Sequence, residues 1–384
     1  MDRAELVKWI NEEPDFEVCV SKISNMRSLF DNNRTFNKSI DYWDVSNTND
    51  MSFMFKYSVF NKDISNWDVS NVTDMTSMFE LSIFTKDVEK WNVSSVQYMT
   101  AMFKSSFFNQ SLSEWNVGNV IDMQQMFRNS KFDKPIINWD VSNVTNMTEM
   151  FRDAEFNHPI GEWNVQNVTS MISMFMVNER FNQDISEWDV SNVTDMSQMF
   201  NYSVFNGDIS NWNVSNVTRM INMFKNSVFN GDISNWNVSK VNSMYGMFWD
   251  SIFNNPIGDW DVSSVTNIEY MFYNSEFNQP LNNWVLNDQV DNLSFMFAGS
   301  KFNHPLDNWD VSKVRRMSHM FYNSVFNQDI SGWDVSNVYD MYRMFKGNDA
   351  FNQNLESWDV EGVVYCSEFS LNATSWTEPK PSFT

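Results

Sequence analysis

Histidine and cysteine are scarce in this sequence. Only 3 of the 384 residues are histidine and 2 are cysteine, and none of them has the spacing of a zinc site. The sequence contains no glycine-rich phosphate loop, and no Ser-His-Asp or Cys-His set stands out from the rest of the chain. We therefore expect no enzymatic activity, no cofactor and no metal ion.

Basic residues are also few, and long apolar runs are absent. The chain has 26 basic and 49 acidic residues, a formal net charge of -23, which disfavours nucleic acid and anionic membrane surfaces as partners. No apolar run approaches the roughly 20 residues that span a bilayer. The first residues include Asp2, Glu5 and Glu12 and do not resemble a signal peptide. We expect no membrane insertion and, by default, a cytoplasmic or virion-like location.

One sequence pattern, by contrast, is present fourteen times. Residues 60–79 read FNKDISNWDVSNVTDMTSMF, and residues 181–200 read FNQDISEWDVSNVTDMSQMF. Successive copies are 24 residues apart except for three steps of 25, a period that indicates stacked repeats sharing one core. Each copy is marked by a tryptophan: Trp43, Trp67, Trp91, Trp115, Trp139, Trp163, Trp188, Trp212, Trp236, Trp260, Trp284, Trp309, Trp333 and Trp358.

Positions within a repeat are counted here from this tryptophan as zero. The triplet Trp67-Asp68-Val69 alternates apolar and polar residues, which predicts a short strand with Asp68 facing outward. Met75, Met78 and Phe79 are spaced i, i+3, i+4, which predicts a helix of one or two turns. The predicted fold is an α/β leucine-rich-repeat-like solenoid of about fifteen 24-residue coils. The predicted inward residues of this coil are Ile64, Trp67, Val69, Val72, Met75, Met78, Phe79 and Phe84.

The two ends of the chain depart from the pattern. We predict an N-terminal cap with a degenerate first coil over residues 1–42, the repeat solenoid over 43–369 and a loose C-terminal tail over 370–384. We predict that Ala4–Glu12 is a capping helix with Leu6, Trp9 and Ile10 facing inward. The asparagine in the recurring Phe-Asn pair, as at Asn61, is expected to bond backbone groups of its own and the next coil.

The string W-D-V-S-N-V-T-x-M-x-x-M-F followed by F-N-x-x-[IL] resembles the bacterial surface protein repeat. This is the BspA-like, leucine-rich-repeat-related domain of unknown function first noted in Mycoplasma lipoproteins. The resemblance covers roughly residues 16–369. It implies a right-handed solenoid used for surface display, adhesion or protein binding, without a catalytic motif, and a location at a cell surface.

The outward position of the predicted strand, together with the residue before the tryptophan, gives the chain a predicted acidic stripe. We consider three interpretations: a solvated, aggregation-resistant surface, a docking face for a basic protein, or a calcium ladder. Asparagines between the aspartates weaken the calcium interpretation. The candidate protein-binding residues are Asp44, Asp68, Glu114, Asp140, Glu162, Glu187, Asp189, Asp259, Asp261, Asp310, Asp334 and Asp359.

A second variable strip follows the predicted helix, and its aromatic members could contact protein or sugar. The repeats also contain N-x-T sequons, which follow from the repeat consensus and need a secretory route to be glycosylated. The members of the strip are Lys56, Lys104, Arg128, Arg152, Lys225 and Lys346, with Trp249, Tyr273 and Tyr322.

Taken together, these features predict a non-enzymatic repeat scaffold for protein–protein interaction or structural assembly. The alternative is a surface adhesin that binds host protein or carbohydrate.

Overall fold

The computed structural model describes residues 2–12 and 17–383. Within these ranges the only helix is α1, Arg3–Glu12, and no residue belongs to an extended β-strand. Predictions that fall on residues 1, 13–16 and 384, including the start of the resemblance at residue 16, lie outside the described residues. The chain divides into two compact units, Met1–Val190 and Ser191–Thr384, and every contact given below joins residues of the same unit.

The prediction of one short strand per repeat is wrong. The Trp67 amide donates to the Ile64 carbonyl at 3.1 Å and the Val72 amide to the Val69 carbonyl at 2.9 Å, so turns within the repeat flank the triplet. The predicted alternation is confirmed, because Trp67 and Val69 are buried and Asp68 is exposed. Successive repeats pair further along the chain, through single parallel β-bridges near position +7, such as the bridge between Asp74 and Tyr98.

The prediction of one short helix per repeat is also wrong, because alternate amides bond to the following repeat. The Met75 amide donates to the Tyr98 carbonyl at 2.9 Å and the Ser77 amide to the Thr100 carbonyl at 2.8 Å. Between them, the Met78 amide donates to the Met75 carbonyl at 3.1 Å, three residues earlier. An α-helix would use each of these amides for a bond four residues back. The segment is therefore a series of turns hydrogen-bonded to its neighbour.

Backbone conformation at two positions of each repeat excludes a helix there. Ser77 has a φ of 53° and Leu81 a φ of 55°, and residues at the equivalent positions +10 and +14 repeat this left-handed geometry. Among the described residues with this geometry, the glycines are Gly246, Gly299 and Gly347. For other residues a left-handed conformation costs roughly 1–2 kcal/mol. The bonds to the next repeat fix each of these residues in place.

The predicted core is confirmed even though its backbone is not the predicted one. The repeat tryptophans are 2% to 5% exposed, and Trp139 stacks on Trp163 with ring centroids 6.4 Å apart. The Trp91 indole N–H donates to the Ile64 carbonyl of the preceding repeat at 3.0 Å. Apolar burial and these inter-repeat bonds together join one repeat to the next. All eight predicted inward residues are buried: Ile64, Trp67, Val69, Val72, Met75, Met78, Phe79 and Phe84.

Both ends of the described chain cover apolar surface. The predicted N-terminal capping helix is confirmed, since α1 buries Leu6, Trp9 and Ile10. The loose tail predicted after residue 369 is wrong for residues 370–383. Trp376 is 5% exposed and lies 4.7 Å from the Phe351 ring, so this segment packs as a cap.

The asparagine ladder predicted from the Phe-Asn pair is confirmed. The Asn37 side-chain oxygen accepts the Asn61 amide at 2.9 Å. In the second unit, the Asn230 oxygen accepts the Asn254 amide at 2.9 Å. Each asparagine thus satisfies a backbone donor of the following repeat, which gives this position a structural role.

Candidate functional site: the acidic strip

The twelve predicted carboxylates, called here the acidic strip, are all exposed. Eight of them follow a buried repeat tryptophan, at position +1, and four precede one, at position -1. Because hydrogen bonds join successive repeats within each unit, the strip is carried on a fixed backbone. The two sets of carboxylates differ in their hydrogen bonds with the rest of the chain.

The aspartates at position +1 close turns. The Asp44 Oδ1 accepts the Ser46 amide at 3.1 Å and the Ser46 hydroxyl at 2.6 Å. The Asp140 Oδ1 accepts the Ser142 amide at 3.0 Å. Such local bonds are those of an Asx-turn, and the Asp-x-Ser spacing was the sequence signal for them. The other aspartates that accept the amide two residues later are Asp68, Asp261, Asp310, Asp334 and Asp359.

These bonds favour the ionised form of Asp44, Asp140 and Asp334. The Ser46 side chain, and then its amide, lowers the pKa of Asp44 below its usual value. The pKa of Asp140 is lowered in the same way. The pKa of Asp334 is also lowered by its serine, although the neighbouring charge of Asp310 opposes the effect. These three aspartates therefore carry a negative charge at neutral pH.

Asparagine accepts the same two hydrogen bonds where it replaces aspartate at position +1. The Asn92 Oδ1 accepts the Ser94 amide at 3.2 Å and the Ser94 hydroxyl at 2.7 Å. The same contacts join Asn237 and Ser239 at 3.2 and 2.7 Å. The turn thus needs an oxygen acceptor at this position and does not need its negative charge.

The four carboxylates at position -1 have no such structural role. Glu114, Glu162, Glu187 and Asp259 are exposed, and they make no hydrogen bond or ion pair with any part of the chain that the structure describes. Their charges are therefore available to an external group. Sequence reasoning placed them in the same group as the turn-forming aspartates and could not separate the two sets.

The second predicted strip, called here the cationic strip, largely neutralises itself. The buried Glu80 lies 2.9 Å from the Lys56 ammonium and 3.6 Å from that of Lys104. Burial would raise the pKa of Glu80, but the hydrogen bond from Lys56 and the nearby charges lower it overall. Glu149 pairs in the same way with Arg128, at 2.6 Å. These cations are partnered within the chain, unlike the carboxylates at position -1.

Neighbouring side chains pack against the ring of Trp249, an aromatic member of the cationic strip. Trp249, predicted to be a surface residue, is only half-exposed. The Lys225 ammonium, from the preceding repeat, lies 3.3 Å from its ring centroid, and Tyr270, from the following repeat, stacks on it at 5.0 Å. Sugar-binding aromatic side chains need an open ring face, so this arrangement does not favour carbohydrate.

The sequon asparagines are also engaged. The Asn71 Nδ2 donates to the Ser46 carbonyl at 2.7 Å, and the Asn143 Nδ2 donates to the Gly118 carbonyl at the same distance. This nitrogen is the atom that a glycan would occupy. A sugar at either position would compete with a bond between repeats.

Residues 2–12 and 17–383 form neither a metal-binding cluster nor a membrane-spanning helix. No group of three or more His, Cys, Asp or Glu side chains in these ranges could hold a metal ion. No helix there is both long and apolar enough to cross a membrane. The candidate site is therefore the charged surface formed by the acidic strip.

A family model described as "Mycoplasma protein of unknown function, DUF285" matches the chain in five overlapping segments, residues 11–107, 81–175, 129–228, 201–304 and 291–383. Together these segments cover nearly the whole sequence and follow its tandem repeats. No curated protein matches the chain.

Proposed function

The chain belongs to the Mycoplasma repeat family of unknown function DUF285, and we propose that it is a non-enzymatic scaffold that binds a basic protein through the acidic strip. In this proposal the repeats form a right-handed, BspA-like solenoid with about 24 residues per coil. Hydrogen bonds with this sequence offset, such as that from the Gln97 amide to the Thr73 carbonyl, support the proposal.

The observation that carries the proposal is the contrast between the two strips. The buried Glu80 and the half-buried Glu149 pair with the cations of their own strip, which leaves little net charge there to attract a partner. The carboxylates at position -1 are exposed and without partners among the described residues. An uncompensated negative surface on a rigid backbone attracts a basic partner and accelerates its association at low salt.

A surface adhesin that binds carbohydrate is the weaker candidate. It would use exposed aromatic faces, and the rings around Trp249 are stacked on neighbouring side chains instead. A protein partner is therefore the proposal that the site geometry supports best.

The test compares two triple variants with the same change in net charge. Glu114→Gln, Glu162→Gln and Glu187→Gln remove three charges at position -1. Asp63→Asn, Asp87→Asn and Asp329→Asn remove three charges at position -4, where each side-chain oxygen accepts the amide two residues later and the asparagine keeps that acceptor. Partners captured from the native source by the wild-type protein are quantified by mass spectrometry at low and high salt.

We expect capture to be salt-sensitive, lost in the first triple variant and retained in the second. Equal capture by all three proteins would show that the acidic strip is not the binding surface. Equal loss in both variants would show that only the total charge of the chain matters.

A further inference from the structure

A hollow of about 540 Å³ opens on the surface of the first unit, beside the acidic strip. Its apolar part is formed by Ile137, which is 42% exposed, and by Pro159. It spans three consecutive repeats, those of Trp139, Trp163 and Trp188. The remaining lining residues are Gly161, Glu162, Gln183, Asp184, Ser186 and Glu187.

The hollow exists because Gly161 has no side chain. A Cβ atom at this position would lie 2.7 Å from the Asp184 carbonyl oxygen, closer than side chains approach a backbone atom. The close approach of the two repeats therefore requires glycine. Ile137 and Ser186 hold the equivalent position -2 in the repeats on either side, so the missing side chain leaves a gap between them.

The charge around this hollow is not compensated. Glu162, Asp184 and Glu187 line it, and no lysine or arginine does. Of three other hollows on the described surface, one also has a carboxylate, Glu356, and no cation, and the two others contain cations. Of these two, one is lined by two lysines together with two aspartates. The other is lined by lysine and arginine as well as carboxylates.

An apolar floor with a carboxylate rim matches one side chain in particular. Arginine has an apolar stem that packs on aliphatic surface and a planar guanidinium that donates to two carboxylates at once. The two unpartnered carboxylates, Glu162 and Glu187, lie on adjacent repeats and both line the hollow. Lysine carries the same charge but is a compact, strongly hydrated point donor.

We propose that this hollow seats an arginine side chain of the basic protein partner, with the stem on Ile137 and Pro159 and the guanidinium between Glu162 and Glu187. The inference rests on the proposed function and assigns one position of the acidic strip to one residue type of the partner.

The second unit offers a matched control. Gly258 and Asp259 repeat the Gly161-Glu162 pair, and a Cβ atom at Gly258 would likewise lie 2.6 Å from a backbone carbonyl oxygen, that of Pro280. The residues equivalent to Ile137 and Glu187 are Ser234 and Asn283, so the isoleucine of the apolar floor and the second carboxylate are missing, while Pro256 keeps the place of Pro159. Asp259→Asn therefore removes a charge from the same repeat position without touching the hollow.

The experiment uses the full chain with labelled isoleucine δ1-methyl groups and two synthetic peptides, acetyl-GRGRGRG-amide and acetyl-GKGKGKG-amide. Methyl NMR follows Ile137, with the exposed Ile252 of the second unit as the reference signal. Fluorescence anisotropy gives the affinity of each peptide. We expect the arginine peptide to shift the Ile137 signal and to leave that of Ile252 in place.

The double variant Glu162→Gln, Glu187→Gln should weaken the arginine peptide about fivefold to tenfold, as expected for two surface ion pairs. Asp259→Asn should change the affinity less than about twofold on the same scale. An arginine peptide that binds without moving Ile137 would overturn the hollow as its seat and would leave the proposed scaffold function standing. Equal affinity for the lysine peptide would overturn the assignment to arginine, and absence of binding would overturn the inference as a whole.

Discussion

Replacement of a repeat tryptophan tests whether stacking between repeats stabilises this protein. Trp139 is 3% exposed, stacks on Trp163 at 6.4 Å and lies 6.2 Å from the Phe127 ring. Its indole N–H donates to the Leu112 carbonyl at 3.0 Å, and that oxygen also accepts the Trp115 amide at 3.2 Å. Trp139→Ala therefore removes a buried ring and one hydrogen bond but leaves no carbonyl without a donor.

The expected cost of Trp139→Ala is about 4 kcal/mol in the free energy of unfolding, in the range for large aromatic core residues. Trp139→Phe keeps a ring in the stack and loses only the N–H bond and some volume, so it should cost about 1–2 kcal/mol. Urea unfolding followed by circular dichroism measures both. Tyr202→Ala, at a position 52% exposed, is the control and should cost under about 1 kcal/mol. If the phenylalanine variant were as unstable as the alanine variant, the stacking argument would be refuted.

Three further changes test the turns and the half-buried His319. Asp140→Asn should leave the melting temperature unchanged, whereas Asp140→Ala should cost about 1 kcal/mol, because only the first keeps the turn acceptor. Gly347→Ala should cost about 1–3 kcal/mol, since Gly347 has a φ of 68° and an added Cβ would clash with the Asn323 side chain; Gly332→Ala, with open space around it, should be nearly neutral in the same melt. Burial lowers the pKa of His319, so the unfolded chain binds more protons and stability should fall as pH drops through about 6.5. His319→Phe should lose less stability than the wild type between pH 7 and pH 5, and an equal loss would contradict the pKa argument.

The core and the ladder positions could be predicted from the sequence, because they depend only on which residues recur. The period identified the tryptophan and the apolar positions around it, and burial does not require a particular backbone conformation. The asparagine of the Phe-Asn pair was predictable for a similar reason. A polar side chain repeated at one position has a backbone donor of the next repeat within reach.

The secondary structure of the repeat could not be predicted in the same way. Met75, Met78 and Phe79 have helical spacing, yet successive turns bury the same three side chains. Left-handed residues are usually signalled by glycine, and here serine and leucine occupy those positions, as at Ser77 and Leu81. The bonds that hold them come from a neighbouring repeat, which local propensity does not include.

The division of the acidic strip into two sets also needed the structure, and it changes which residues carry functional information. An aspartate at position +1 closes a turn, and asparagine serves there equally well, so its recurrence follows from folding alone. A carboxylate at position -1, such as Glu162 or Glu187, makes no bond with the described chain and can be replaced without loss of a turn. Four such residues occur, two of them on adjacent repeats beside an apolar hollow. Because the fold does not require their charge, we expect interaction with a partner to depend on position -1 more strongly than on position +1.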